Sequence, residues 1–236
     1  MTETNIPGNP AEYDEIAEKL FAPVYPLVAQ AILERTGKRT GSVLDAGCGG
    51  GHLGIAVLQG GDFSDLMLFD AKEDALAMAQ ARVCRETDGT DAQPRTVATF
   101  CSDICADDLV ERVSEAARSA FGEWVGFDLI ISRGSMPFWE DQLKAFENLY
   151  GLLAPGGIGY VGGGMGSTEV RKSIASKMAE IRKKNEGEGP HLFDMSQSKA
   201  LASEEYVALF DRLGAKCTVI ANEDEGRWFM FEKPSE

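Results

Sequence analysis

Residues 42 to 54 read SVLDAGCGGGHLG, in which Asp45 is followed by four glycines within six positions. Glycine loses more backbone entropy on folding than any other residue, so such crowding signals positive φ angles or a ligand close to the backbone. Two further acids close apolar runs: Asp70 in LMLFDA and Asp103 in TVATFCSD. At the carboxyl ends of parallel strands, where open α/β sheets bind ligands, Asp70 can accept both hydroxyls of a ribose and Asp103 an exocyclic amino group. A glycine turn leading into a helix adds N–H donors and room for a ligand to meet the backbone amides. Ordinary turn chemistry accounts for any one of these acids and poorly for three in register. The set describes an adenosine-bearing ligand. GGGHLG at 49 to 54 also fits the G-x-G-x-x-G dinucleotide fingerprint, a weak match alone. Asp45, two residues before the first glycine of the turn, would repel a pyrophosphate and attract an ammonium group. S-adenosylmethionine presents ammonium, sulfonium, ribose and adenine in the matching order.

The elements that must position these residues follow from alternating patterns. SVLDAG (42–47), LMLFDA (66–71), TVATFCSD (96–103), FDLIISRG (127–134) and GIGYVGGG (157–164) read as short strands buried on both faces. Helical stripes lie between them: Leu76, Ala79 and Val83; Leu109, Val113, Ala116 and Ala120; and Leu143, Phe146, Tyr150 and Leu153. Such alternation implies right-handed βαβ units in an open parallel sheet. In the C-terminal third, a helix with Val170, Ile174, Met178 and Ile181 inward precedes a Gly/Glu-rich linker and a helix near 203–213. The last two strand-like runs, AKCTVIAN and RWFMFEKP, are too close for a helical crossover and must pair antiparallel. At the front, two short helices are broken by Pro23 and Pro26, with Ile16 and Leu20 facing inward from the first and Val28 and Ile32 from the second. The expected fold is a Rossmann-like α/β three-layer sandwich. Its seven-stranded sheet is mainly parallel and ends in an antiparallel C-terminal hairpin. A single domain spans 1–236: an N-terminal helical cap (1–40), a cofactor-binding core (41–164), a helical insertion or lid (165–202), and a C-terminal helix and β-hairpin (203–236).

Composition narrows the partners. With 23 basic against 38 acidic residues the formal net charge is -15, which repels phosphate backbones and anionic membranes. Nucleic acid and membrane are therefore not expected partners, and the basic run KSIASKMAEIRKK reads as a solvated helix face. The N-terminus has neither the basic nor the apolar region of a signal peptide, and no 18-residue apolar run occurs. Five scattered cysteines (48, 84, 101, 105 and 217) lack metal-ligand spacing. They read as reduced thiols of a cytoplasmic protein, and no metal is expected.

VLDAGCGGG followed by LFDA, CSDI, FDLIISRG and LLAPGG resembles the ordered motif series of class I S-adenosylmethionine-dependent methyltransferases, over roughly residues 40 to 165. YDEIAEKLF is similar to the N-terminal helix of small-molecule methyltransferases related to the quinone C-methyltransferases, in which a tyrosine at the place of Tyr13 covers the methionine end. The resemblance implies S-adenosyl-L-methionine as cofactor. Asp45, Ala46, Gly47, Cys48, Gly49 and Gly51 would line its methionine and ribose portion. Asp70 would bind the ribose, Ala71 and Lys72 flank the adenine, and Ser102, Asp103 and Ile104 hold the adenine edge and face. Ser132 and Arg133 would border the sulfonium. One departure is the segment ADDLVERVSEAARSAFGEWVG, longer and more helical than the family's short acidic connection.

The implied acceptor is a small molecule. Its pocket candidates are Phe21, Tyr25, Met136, Phe138, Trp139 and Met165, each equally readable as core, and Trp228 reads more plainly as core. Catalytic candidates are Tyr25 and Arg133, the latter either an anion clamp or the ion-pair partner of Glu140. His52 reads as a capping or packing residue, and His191, in a lid linker, as a surface histidine or a base. Two other readings stay open: an NAD(P)-dependent oxidoreductase, and a non-catalytic module binding S-adenosylmethionine or S-adenosylhomocysteine. The sequence leaves the oligomeric state open.

Overall fold

The computed structural model describes residues 10–87, 96–184 and 201–235. Helix α1 (Pro10–Ile16) runs into a π-helical turn (Ala17–Phe21), and α2 (Val24–Thr36) leaves it at 80°. The remaining elements are β1 (Thr40–Ala46), α3 (His52–Gln59), β2 (Asp62–Asp70), α4 (Glu73–Thr87), β3 (Thr96–Cys101), α5 (Leu109–Phe121), β4 (Phe127–Arg133), α6 (Gln142–Leu152), β5 (Leu153–Gly163), α7 (Thr168–Lys184), α8 (Ser203–Arg212), β6 (Lys216–Asn222) and β7 (Gly226–Glu232). The strands form one seven-stranded sheet in the order β3-β2-β1-β4-β5-β7-β6. β1 to β5 pair in parallel and β7 runs antiparallel to both β5 and β6.

Alternation along each strand divides the core between two faces. Val43, Leu66, Leu68, Leu129 and Ile131 pack with α2, α3 and α4 on one face. Leu44, Ala46, Met67, Phe69 and Ile130 pack with α5, α6 and α8 on the other. The same alternation places Asp45, Asp70 and Arg133 on the first face, at the carboxyl ends of β1, β2 and β4. Strand order reverses between β1 and β4, which opens the ligand-binding crevice there.

Several local expectations are corrected. Pro26 does not break a helix: it sits in the first turn of α2, where its missing N–H has no partner to lose. In α5 the buried stripe is Leu109, Val113 and Ala117, and Ala120 is exposed. Ile181 is 36% exposed, because α7 docks only through Val170, Ile174 and Met178. Leu153 belongs to β5 instead of the preceding helix, and a register shift between Phe127 and Leu129 absorbs the APGG segment.

The glycines of β5 admit the neighbouring strand. A Cβ on Gly162 would lie 2.2 Å from the Arg227 carbonyl oxygen and 2.7 Å from Trp228 Cα. Both are backbone atoms of β7 and cannot swing away. Gly162→Ala should therefore lower the unfolding free energy by about 2 kcal/mol, as overpacking does. A reduced urea midpoint at unchanged slope is the expected reading.

Candidate active site

The turn after β1 is held in shape by its own amides. Gly47, Gly49 and Gly51 have φ of 71°, 52° and 78°, the left-handed region that side chains disfavour. The Gly47 and Cys48 N–H groups both donate to the Phe69 carbonyl (2.8 and 2.9 Å), and Gly51 N–H donates to the Cys48 carbonyl at 2.9 Å. Gly49 N–H donates to Asp70 Oδ2 at 2.9 Å. Four amides that the sequence suggested a ligand would meet are thus spent inside the protein. What the turn supplies is space: a Cβ on Gly49 would meet nothing within 4 Å, whereas one on Gly47 would lie 2.4 Å from Ser135 Cβ. With four of its donors occupied, the turn offers a pyrophosphate few free amides.

The two acids beside it are unlike ordinary carboxylates. Asp45 is 1% exposed and its Oδ2 accepts the Gly54 N–H at 2.9 Å. Burial pushes its carboxyl up to about 7; the Gly54 N–H opposes this and the Asp70 charge adds to it. Between the ordinary value of 3.8 and about 7 the folded chain holds a proton the unfolded chain has lost. The stability this group contributes therefore falls as pH rises through that window. Asp70 is also raised by burial, against the N–H groups of Gly49, Lys72 and Ala71. Its Oδ1 accepts Lys72 N–H at 3.0 Å, and each oxygen keeps a second lone pair for a ligand hydroxyl. Burial, then the charges of Asp45 and Asp70, keep the Cys48 thiol well above its usual range, so it is a neutral lining group.

At the tip of β3, Ser102 N–H donates to the Asp70 carbonyl at 3.2 Å, which ties the two strand ends together. Asp103 is exposed and its Oδ1 accepts the Cys105 N–H at 2.9 Å. Ile104 is buried, Ala71 exposed and Lys72 half-buried. Acids and apolar surface thus alternate along the ends of β1, β2 and β3.

The N-terminal helices form the opposite wall through residues the sequence reading missed. Asp14, on α1, accepts Arg82 Nη2 at 2.8 Å (Oδ2) and Nη1 at 3.0 Å (Oδ1). The His52 ring nitrogen Nε2 lies 3.0 Å from Asp14 Oδ1. Arg82, 3% exposed on α4, also donates to the Gly50 carbonyl. Burial acts against ionising Asp14, but Arg82 and His52 hold its carboxyl below the usual value; burial, then Arg82, depress His52. His52 stacks on Tyr25 with centroids 4.8 Å apart, a packing role as expected. The available signal was Arg82 beside Val83 on the buried stripe of α4.

Arg133 forms none of the ion pairs found among the described residues, so the expected Glu140 pair is absent there. The 3-10 turn Met136–Phe138 and extended Trp139 carry Glu140 to an exposed position. Arg133 is instead within 5.5 Å of the Phe21 ring centroid and 5.4 Å of that of Tyr25. Ser132 is fully buried with its Oγ 2.5 Å from Ser135 Oγ.

A cleft open to solvent results, lined by Tyr25, Asp45, Cys48, His52, Leu53 and Arg133 around the glycine turn. The acceptor candidates divide. Phe21, Tyr25 and Met165 pack on the same face as Arg133. Met136 and Trp139 pack on the other, where Trp139 meets Phe146 edge-on at 5.8 Å. Phe138 is half-buried, and Trp228 is core, 2% exposed. The Tyr13 side chain and His191 lie outside the described residues.

Residues 44–158 match the family model described as a methyltransferase domain. A Methanococcus maripaludis protein assigned as an S-adenosyl-L-methionine-dependent methyltransferase is 27% identical, with TM-score 0.71; the match covers 100% of this chain and 98% of that one. The chain is an S-adenosylmethionine-dependent methyltransferase.

The methyltransferase shares its fold with more distant structures. An O-methyltransferase family protein from Burkholderia thailandensis has TM-score 0.60 at 12% identity, covering 96% of this chain and 60% of that one. The plantazolicin methyltransferase BpumL, solved with a triazolic desmethylPZN analog and SAH, has TM-score 0.55 at 14% identity, covering 95% and 89%. No curated protein matches the chain. Asp45 lines the cleft, and Asp70 stands at the neighbouring strand tip.

Proposed function

We propose that the methyltransferase transfers the donor's methyl group to a small-molecule acceptor by in-line displacement, with alignment and exclusion of water as its main catalytic work. The observation that carries this reading is the pairing of buried Asp45 and half-buried Asp70 with a turn four of whose amides are already satisfied, an arrangement that favours a cation over a phosphate. On this reading Asp45 attracts the ammonium group, Asp70 accepts the ribose hydroxyls, and Asp103 with Ile104 holds the adenine. A bound donor supplies an activated methyl group. The chain's own residues then hold the reactants in line, worth on the order of 7–11 kcal/mol when reacting atoms meet at about 3–3.5 Å. His52 is committed to Asp14, so the reading assigns no general base and suits an acceptor that is already nucleophilic.

A small acceptor is supported by the cap. α2 lines the cleft through Tyr25, and Asp14 ties α1 to His52 and Arg82 beside it. The likeness of YDEIAEKLF to the quinone C-methyltransferase branch points the same way. Release of S-adenosylhomocysteine across a metabolite panel tests the reaction, and binding without turnover on every acceptor would favour a sensor.

The Asp45 carboxyl near 7 gives a second test. An ammonium group beside it lowers that value, so binding at pH 7 should expel protons and donor affinity should rise as pH increases through 7. Calorimetry with S-adenosylhomocysteine in buffers of different ionisation enthalpy should show release of about half a proton at pH 7. Asp45→Asn should abolish the release. Equal apparent enthalpies in all buffers for the wild type would refute the ammonium contact.

A further inference from the structure

Arg133 carries a charge that no carboxylate among the described residues answers. Its Nε donates to the Gly164 carbonyl at 2.9 Å and one Nη2 N–H reaches Met165 Sδ at 3.6 Å. The Phe21 and Tyr25 rings lie beside the guanidinium carbon. These contacts stabilise a cation without neutralising it. No carboxylate pairs with it among the described residues. A guanidinium has five N–H donors in one plane, and the Nη1 pair remains for whatever enters the cleft that Arg133 lines. An unpaired cation half-removed from water is costly, and a planar oxyanion that completes its fork removes the cost.

We propose that Arg133 is the receptor for a carboxylate on the methyl acceptor, an inference that rests on the methyl-transfer reading of the cleft. The topology separates this group from Asp70, the acid assigned to the ribose, while Asp45 shares its cleft. Asp70 ends β2, on one side of β1, and Arg133 ends β4, on the other. Its neighbours come from the cap and from the connection after β5, where Phe21, Tyr25 and Met165 converge. A carboxylate held there stands across the strand-order reversal from the ribose site, and bidentate pairing fixes its orientation as well as its position. The donor's own α-carboxylate offers the same chemistry, and the experiment separates the two sources.

Wild type, Arg133→Gln and Arg133→Lys are titrated with S-adenosylhomocysteine and with methylthioadenosine, which lacks the amino-acid group. The S-adenosylhomocysteine complexes are then titrated with a panel of aliphatic and aromatic carboxylates and their neutral amides. Expected for the wild-type complex is at least one carboxylate preferred over its amide by tenfold or more. That preference should be lost in Arg133→Gln and weakened in Arg133→Lys, with donor-product affinity within threefold of wild type. Loss of S-adenosylhomocysteine affinity with methylthioadenosine unchanged would move the receptor to the donor's carboxylate and overturn the acceptor assignment. Equal loss of both nucleosides, or no carboxylate preferred by the wild type, would overturn the receptor itself. Arg133→Lys keeps the cation on the rings and answers the question if the glutamine variant does not fold. Failure of wild type to bind S-adenosylhomocysteine would instead fell the methyl-transfer reading.

Discussion

Asp70→Ala should weaken S-adenosylhomocysteine binding by about 100-fold, roughly 3 kcal/mol. The carboxylate has two duties at one strand tip. It accepts the N–H groups of Gly49 and Lys72, and on the proposed reading its remaining lone pairs take the ribose hydroxyls. Hydrogen bonds to a charged group contribute about 1.5–3 kcal/mol each, so losing two toward the ligand already reaches the expected value. The freed Gly49 amide adds to it by loosening a turn otherwise held by backbone bonds and the Arg82 contact to Gly50. Asp70→Asn, which keeps one acceptor oxygen, should fall between. Titration calorimetry beside a melting curve checks this, and an affinity within fivefold of wild type with the fold intact would remove Asp70 from the site.

The second large effect is expected at the cap. Asp14→Ala leaves Arg82, 3% exposed, with no carboxylate partner among the described residues. Breaking a buried pair by removing one partner costs about 3–5 kcal/mol when the survivor stays buried. Here α1 is only seven residues long and can lift to let water reach Arg82, so about 2 kcal/mol is expected, on the same principle. Arg82→Met in the Asp14→Ala background should recover part of the loss, because it removes the orphaned charge. A double-mutant cycle from urea unfolding should show coupling of about 1–3 kcal/mol, and strict additivity would deny the link between α1 and α4. The Asp14 carboxyl is held below its ordinary 3.8. The pair's contribution is therefore complete above that value and lost as pH falls through the depressed one.

Much of this was legible because parallel strands announce themselves: short apolar runs ending in Asp, Gly or Ser. The brief EDEG link between the last two runs forced their antiparallel pairing. Asp45 and Asp70 could be placed on strand tips from that punctuation alone. The destinations of the turn amides could not, because their acceptors, the Phe69 carbonyl and Asp70, come into reach only when β1 and β2 pair in register. Asp14 and Arg82 are 68 residues apart and share no local pattern. Pro26 misled because a proline in a first turn is written like a proline that breaks a helix. Glu140 misled through nearness in the chain, which the turn after β4 undoes.

The division of the sheet into two faces has a practical consequence for engineering. On the side packed by α5, α6 and α8, Phe146 is ringed by Trp139, Tyr206, Phe210, Phe229 and Phe231 at centroid distances of 5.0 to 5.8 Å. Neither Asp45, Asp70 nor Arg133 reaches that side. Heat tolerance can be bred around Phe146 by exchanging one aromatic shape for another, provided that Ile104, which the proposed adenine site draws from this side, is kept.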